Sequence, residues 1–242
     1  MKNTLKGFII VLVCLSILSS CTVTQNISLE NDNQGTTTML LYADDFFNGV
    51  LQDLSPYLGT DKKDESVLEN AVENMAQKIK QAPATSDSFF FKADENNYLG
   101  NIKFLDINSL LDYLTDMKDQ NLFIISNNEE KGKSHLEINI NMNNWDKLCK
   151  ILPFLSEENF EVYGPVYNNG LSEEDYLDMI GFILGEDGPD KIKDSDINLI
   201  FQAPSKIQNS DGEMLEDNIT AFNIPLIKLL LLNDPIKLEC TW

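Results

Sequence analysis

The sequence contains no arginine: its 18 basic residues are all lysines, they stand against 39 acidic residues, and the formal net charge is −21. Proteins that bind nucleic acid neutralise phosphate groups with clustered lysine and arginine side chains. This chain has neither an excess of basic residues nor the guanidinium groups that grip phosphate through two hydrogen bonds. The composition therefore excludes nucleic acid as a partner. It also excludes charge as the means of attachment to an anionic membrane surface.

Histidine is almost as scarce, since His135 is the only one. It falls on the polar side of an alternating segment, which predicts a solvent-facing side chain rather than a ligand or a catalytic base. A structural zinc site needs several cysteine or histidine ligands, and the sequence does not supply them. The glycine-rich phosphate-binding motifs and the G-x-S-x-G nucleophile motif are also missing. We therefore predict a protein that is not an enzyme and that carries no metal or cofactor.

Acidic residues are abundant, so we compared the sequence with the pattern of a calcium-binding loop. The segment Asp194-Ser195-Asp196-Ile197-Asn198 begins like a calcium-binding loop. However, Leu199 stands where such a loop requires glycine, and Ser205 stands where it requires glutamate. We therefore predict a turn followed by a strand. The neighbouring acids Asp44 and Asp45 precede a predicted helix, and favourable placement at the positive end of the helix dipole explains them without catalysis.

The N-terminus has the pattern of an export signal. Lys2 and Lys6 precede an apolar run from Gly7 to Leu18, which is shorter than the roughly 20 residues that span a bilayer. The run ends in Leu18-Ser19-Ser20-Cys21, an aliphatic residue, two small residues and a cysteine, which is the pattern of a bacterial lipobox. We predict that residues 1–20 are a signal peptide that is removed and that Cys21 becomes acylated. Loss of Lys2 and Lys6 changes the formal charge from −21 to −23.

Of the four cysteines, Cys14 leaves with the signal peptide and Cys21 carries lipid, so two remain in the folded part. Cys149 and Cys240 both lie on apolar faces, one of a predicted helix and the other of a predicted strand. An exported protein meets an oxidising compartment, where a disulfide can form. Two buried thiols packed as small apolar groups are an equal alternative, because pairing is not readable from sequence.

The rest of the chain mixes strand-like and helix-like periodicity without a βαβ repeat. Alternation at period two predicts strands, and apolar residues at spacings of three and four predict helices. The predicted order, ββααββαββααββαβ, favours an α+β fold with a mainly antiparallel sheet and helices packed on one face. Residues 21–242 are expected to form a single domain. The predicted strands are 23–30, 36–42, 87–93, 98–105, 121–126, 134–142, 196–202, 217–223 and 235–242, and the predicted helices are 44–58, 64–80, 108–118, 144–152, 173–184 and 225–232.

Two aromatic features carry specific expectations. Cys240 and Trp242 alternate with Lys237 and Glu239, so Trp242 should enter the core that receives the alternating strand around Leu136. The segment around Tyr163, Gly164, Pro165 and Tyr167 lies in a predicted loop over 156–171. Its aromatic rings either pack over the core or form an exposed contact site, and the burial tendency of tyrosine favours packing.

The C-terminal third resembles LppM-like bacterial lipoprotein domains. The resemblance is carried by Phe201-Gln202-Ala203-Pro204-Ser205-Lys206-Ile207, the turn Asn209-Ser210-Asp211-Gly212, the return strand Asn218–Leu226 and the end Leu238-Glu239-Cys240-Thr241-Trp242. The hairpin after Cys21 fits the same pattern, and the chain as a whole resembles a spirochaete-type lipoprotein. This resemblance implies a β-rich fold and contact with lipids or glycolipids, and it identifies no site residue.

From these features we predict a lipoprotein of the bacterial cell envelope, anchored through palmitate-type lipid on Cys21 to the periplasmic or cell-surface side of a membrane. A non-enzymatic binding or structural module, with a lipid or an envelope protein as its partner, is the leading interpretation. A lipid or glycolipid carrier is the alternative, with a cavity between the sheet and the helices at 44–80 and 173–184. An envelope enzyme comes third.

Overall fold

A computed structural model describes residues 22–30, 33–54, 67–118, 120–128, 133–151 and 162–242. The predicted signal peptide and Cys21 lie outside the described residues, as do parts of the predicted loops and turns. None of the helices in the described part of the chain is both long enough and apolar enough to cross a membrane.

The described strands form two separate sheets. Their bounds are β1 Thr22–Leu29, β2 Gly35–Tyr42, β3 Thr85–Lys92, β4 Asn97–Phe104, β5 Phe123–Asn128, β6 Lys133–Ile140, β7 Asp196–Gln202, β8 Asn209–Ser210, β9 Glu213–Glu216, β10 Ile219–Pro225 and β11 Ile236–Thr241. The large sheet has the order β3-β4-β2-β1-β7-β10-β9, and the small sheet has the order β5-β6-β11-β8.

Pairing in the large sheet is antiparallel at every junction but one. The first two strands form the predicted hairpin, in which Ile27 faces Thr37. The exception is the parallel pair of β1 and β7, in which Ile27 lies beside Phe201. This junction joins the N-terminal strands β1–β4 to the later strands β7, β9 and β10, so the large sheet combines strands from both halves of the described chain.

Alternation gives the large sheet two different faces. On the inner face, the strands β1, β4, β7 and β10 contribute bulky apolar side chains to the core: Ile27 and Leu29, Ile102 and Phe104, Leu199 and Phe201, and Phe222. On the opposite face, which we call the outer face, the register places residues such as Thr24, Leu40 and Leu99 side by side. These outer side chains are half-buried or exposed, since helices pack against the inner face.

The helices are α1 Asp45–Leu54, α2 Val67–Gln81, α3 Ile107–Thr115, α4 Trp145–Ile151, α5 Pro165–Asn168, α6 Glu173–Leu184, α7 Gly188–Lys193 and α8 Leu226–Leu231. The main core lies between the large sheet, the small sheet, α3 and α4. A second buried cluster joins α6, α7 and α8, and a third joins α2 to the inner face around Tyr98. Asp106 caps α3 by accepting a hydrogen bond from Ser109 N at 2.6 Å, and Ser172 caps α6 by accepting one from Asp175 N at 3.1 Å.

The α+β class is confirmed, with mostly antiparallel sheets and helices on the inner face of the large sheet. The predicted elements match the structure closely, and α6 has the predicted bounds. Four features differ. The strands divide between two sheets, and the short strands β8 and β9 were not predicted. The segment Gly185–Asp190, which was predicted to break regular structure, contains the start of α7, and the predicted loop 156–171 contains the short helix α5. Helix α7 was missed because Gly188-Pro189 reads as a breaker, whereas proline is favoured in the first turn of a helix.

Candidate functional site

The predicted lipid attachment point is adjacent to the large sheet. Cys21 lies outside the described residues, and the residue bonded to it, Thr22, is the first residue of β1. Thr22 lies beside Tyr42 in β2 and Asp196 in β7, so these three residues mark one end of the sheet. We call this the Thr22 end. Because no linker separates it from Cys21, an acyl group on that cysteine would hold the Thr22 end at a membrane surface.

The acids Asp44 and Asp45 lie at the Thr22 end and have different roles. The buried carboxylate of Asp44 accepts a hydrogen bond from Phe47 N at 3.0 Å and forms an ion pair with Lys191. That pair connects the start of α1 to α7, and the hydrogen bond that Lys191 donates to Asp44 raises the pKa of Lys191 above its ordinary value. Asp45 is exposed and accepts a hydrogen bond from Asn96 at 2.9 Å. Asp44 and Asp45 thus stabilise local structure at the start of α1, in agreement with the prediction that their place before a helix explains them.

The segment that resembles a calcium loop does not have a loop conformation. Asp194 ends α7, where its backbone N–H bonds to Asp190 O, and Asp196 and Asn198 belong to β7. The side chain of Asn198 accepts a hydrogen bond from Asn223 at 2.9 Å. Within the described residues, no three histidine, cysteine or acidic side chains are grouped as a metal site would require.

His135 is half-buried rather than fully exposed to solvent as its position in the alternation predicted. It lies on β6 opposite Thr241 of β11, and its Nδ1 is 3.3 Å from the hydroxyl oxygen of Thr241. The neighbouring strand of the small sheet covers part of the ring. The contact is a cross-strand pair in the interior of a sheet, and such pairs stabilise strand association.

The two tyrosines of the segment 163–167 differ in their surroundings: one packs over the core and the other is exposed. Tyr163 packs against the cluster around α6, where its backbone oxygen accepts a hydrogen bond from the hydroxyl of Tyr176 at 2.9 Å. Tyr167 is 64% exposed. Gly164 and Pro165 are buried at the start of α5. Packing over the core therefore holds for Tyr163, and exposure holds for Tyr167.

The structure decides between the two alternatives for the remaining cysteines. Cys149 in α4 and Cys240 in β11 are both buried thiols. Burial raises the pKa of Cys240 to about 11, although its hydrogen bond with Ser210 acts in the opposite direction. A thiol with so high a pKa is almost entirely protonated near neutral pH, which makes it a poor nucleophile.

The region in which a carrier cavity was predicted contains packed side chains. Between the inner face and α2, Leu68, Val72 and Tyr98 form one buried cluster, which includes Ala43. Helix α6 contributes Tyr176, Leu177 and Ile180 to another, which it shares with α7 and α8. These contacts explain how α2 and α6 attach to the fold without a ligand.

The outer face carries an apolar patch that was not predicted from the sequence. Phe89 and Phe91 of the edge strand β3 are 54% and 50% exposed, and their rings stack with centroids 6.2 Å apart. Phe91 lies beside Leu99 of β4, which lies beside Leu40 of β2. We call these four residues, Phe89, Phe91, Leu99 and Leu40, the aromatic patch. The signal in the sequence is the run Phe89-Phe90-Phe91, which at strand spacing must put phenylalanine on both faces.

The sequence matches no protein-family model, and no curated protein matches it. Among solved structures, the fold is similar to the folded domain of the LppM protein of Mycobacterium tuberculosis, determined by NMR. The similarity covers 92% of this chain and 89% of that domain, with a TM-score of 0.42 and 9% sequence identity.

Proposed function

We propose that this chain is a lipoprotein of the bacterial cell envelope that is acylated on Cys21 and acts there as a non-enzymatic binding or structural module. The observation that carries the proposal is the sequence Leu18-Ser19-Ser20-Cys21 at the end of an apolar run, directly before the first residue of β1. Two or three acyl chains on one cysteine give stable membrane attachment. The processed protein, whose formal charge is −23 after loss of Lys2 and Lys6 from −21, needs such an anchor, because an anionic membrane surface repels it.

The roles of the reactive side chains support a module without catalytic activity. Asp44, His135 and Cys240, which could in principle take part in chemistry, each have a structural partner: Lys191, Thr241 and Ser210 respectively. Catalytic groups need to lie together in a cleft, with pKa values suited to proton transfer or nucleophilic attack. These three residues lie on different elements, and each stabilises its own junction.

Replacement of the two N-terminal cysteines tests the anchor. In cells grown with labelled palmitate, the wild-type protein and the Cys14→Ser variant should both carry label and sediment with membranes. The Cys21→Ser variant should carry no label and leave the membrane fraction. Cys14→Ser is the matched control, because it makes the same chemical change within the predicted signal peptide without touching the acylation site. Label on Cys21→Ser, or its retention with membranes, would contradict the proposal.

A further inference from the structure

The outer face of the large sheet is unusually poor in charge for so acidic a protein. Across β3, β4, β2, β1, β7 and β10, the register places three charged residues on that face: Asp87, Lys103 and Asp196. Asp87 and Lys103 lie at the end of the sheet away from Thr22, and Asp196 lies beside Thr22 at the start of β7. Glu213 and Glu216 belong to the far edge strand β9. The uncharged part holds threonine, asparagine, serine and glutamine side chains, the aromatic patch, and further uncharged residues of β2, β7 and β10, which are Tyr42, Ile200, Ile219, Ala221 and Pro225.

The register of β3 leaves two phenylalanine side chains, Phe89 and Phe91, exposed to solvent, which is unfavourable for large apolar groups. Phe90 points to the inner face, where it lies over Gly100 and shares that face with Ser88 and Lys92. A shift of one residue would turn Phe89 and Phe91 to the inner face and Phe90 to the outer face, since side chains alternate along a strand. Instead Phe90 is half-buried against the core, and Phe89 and Phe91 are exposed. Large exposed apolar patches on soluble proteins commonly mark a surface that contacts a partner or a membrane.

The patch is close to the predicted anchor. Thr24 lies beside Leu40 on the outer face, and it is three residues after Cys21. Three residues of extended chain span at most about 11 Å, so an acyl group on Cys21 would hold the membrane within reach of the patch. The patch also lies in the strands β2, β4 and β3, which extend from β1 to the edge of the sheet on one side.

We propose that the outer face lies on the surface of the bilayer and that Phe89, Phe91, Leu99 and Leu40 enter its interfacial region. This inference rests on the proposed acylation of Cys21. The bilayer fits this face better than a second copy of the chain, because two processed molecules, each of formal charge −23 after loss of Lys2 and Lys6 from −21, repel each other. A zwitterionic lipid surface carries no net charge, accepts hydrogen bonds from asparagine and threonine, and admits phenylalanine and leucine side chains to a depth of about 5–10 Å.

Tryptophan fluorescence in vesicles tests the orientation. The acylated full-length protein is reconstituted in phosphatidylcholine vesicles whose acyl chains carry bromine close to the headgroup, which quenches tryptophan on contact. In Phe91→Trp, the added indole should lose about half of its emission or more, relative to vesicles without bromine, because it lies in the interface. The native Trp145 and Trp242 are buried and give a constant background. Phe182→Trp is the matched control, because Phe182 is 93% exposed on α6, and its added emission should not change.

Flotation of the vesicles separates this inference from the proposal on which it depends. Protein that floats with the vesicles while Phe91→Trp remains unquenched overturns the docking of the outer face and leaves the anchor intact. Protein that does not float overturns both. Equal quenching of Phe91→Trp and Phe182→Trp also overturns the orientation. A dimer of the Cys21→Ser form in sedimentation, lost in Phe91→Ser, would assign the patch to a second copy and likewise contradict it.

Discussion

Phe201 and Trp242 pack with their ring centroids 5.3 Å apart and their planes at 50°. Phe201 belongs to β7 of the large sheet, whereas Trp242 follows β11 of the small sheet, so this contact joins the two sheets at the C-terminus. Backbone hydrogen bonds fix the position of Trp242: its N–H donates to Ser134 O at 3.0 Å, and its carbonyl accepts from Ser134 N at 2.9 Å. The expectation that Trp242 enters the core of Leu136, Ile138 and Ile140 is confirmed.

Truncation of the C-terminus should therefore destabilise the whole fold. We expect Trp242→Ala to lower the free energy of unfolding by about 3–5 kcal/mol, as for other large core side chains, and deletion of 239–242 to lower it at least as much. Denaturant titration followed by circular dichroism measures the change. Lys237→Ala is the control on the exposed side of the same strand, with an expected change within about 0.5 kcal/mol. Equal midpoints for wild type and Trp242→Ala would show that the two sheets do not depend on this contact.

Two glycines should respond in opposite directions to the same substitution. A Cβ at Gly100 would lie 2.4 Å from the ring of Phe90, so Gly100→Ala must displace that ring and should destabilise the protein by about 1–3 kcal/mol. Gly49 lies within α1 with nothing within 4 Å of an added Cβ. Gly49→Ala should therefore stabilise the protein by up to about 1 kcal/mol, because alanine has the higher helix propensity. Thermal unfolding of both variants measures the two changes in stability relative to wild type. Changes in the same direction for both variants would contradict the prediction.

The pair of Asp44 and Lys191 should contribute stability that is lost at alkaline pH. The pKa of Lys191 is raised above 10.5 in the folded state, so the folded protein holds this proton more tightly than the unfolded chain. The contribution is complete below about pH 10.5 and disappears as the pH rises through the raised pKa of the folded state. Lys191→Met should cost about 1–3 kcal/mol at pH 7, because Asp44 is left buried without its cation.

Unfolding by urea between pH 7 and pH 11.5 tests this expectation. The difference between wild type and Lys191→Met should shrink toward the alkaline end of that range. Lys206→Met removes a partner of Asp217 from a pair whose side chains are 73% and 83% exposed, and it should change stability by about 0.5 kcal/mol at most. A difference that stays constant with pH would exclude the ion pair as its source.

The thiol of Cys240 should be unreactive in the folded protein. Burial raises its pKa to about 11, so at pH 8 it is protonated as well as shielded from solvent. Maleimide labelling at pH 8 should modify Cys240 slowly in buffer and rapidly in 6 M guanidinium chloride, and peptide mass spectrometry identifies the modified residue. Ser210→Ala removes the hydrogen bond that lowers the pKa of Cys240, and it should not speed labelling. Rapid modification in buffer would show that β11 opens readily.

Much of the local structure was predictable because it depends on short-range periodicity. Helix α6 has the predicted bounds, since Ser172 and Asp175 give a capping pattern and Tyr176, Leu177 and Ile180 share one side. The alternation in β11 predicted correctly that Cys240 and Trp242 are buried while Lys237 and Glu239 are exposed. In each case, the side-chain direction follows from the geometry of a single element.

Other features depend on partners that are distant in sequence, and only the tertiary structure decided them. The parallel pairing of β1 with β7 brings together residues more than 170 positions apart, and no local pattern specifies it. The position of Phe90, rather than Phe89 and Phe91, on the inner face depends on Gly100 of β4, which leaves space for its ring. The sequence by itself determined most of the elements and the alternation of their faces. The pairing of the strands determined which face is buried, because burial is a property of the assembled sheet.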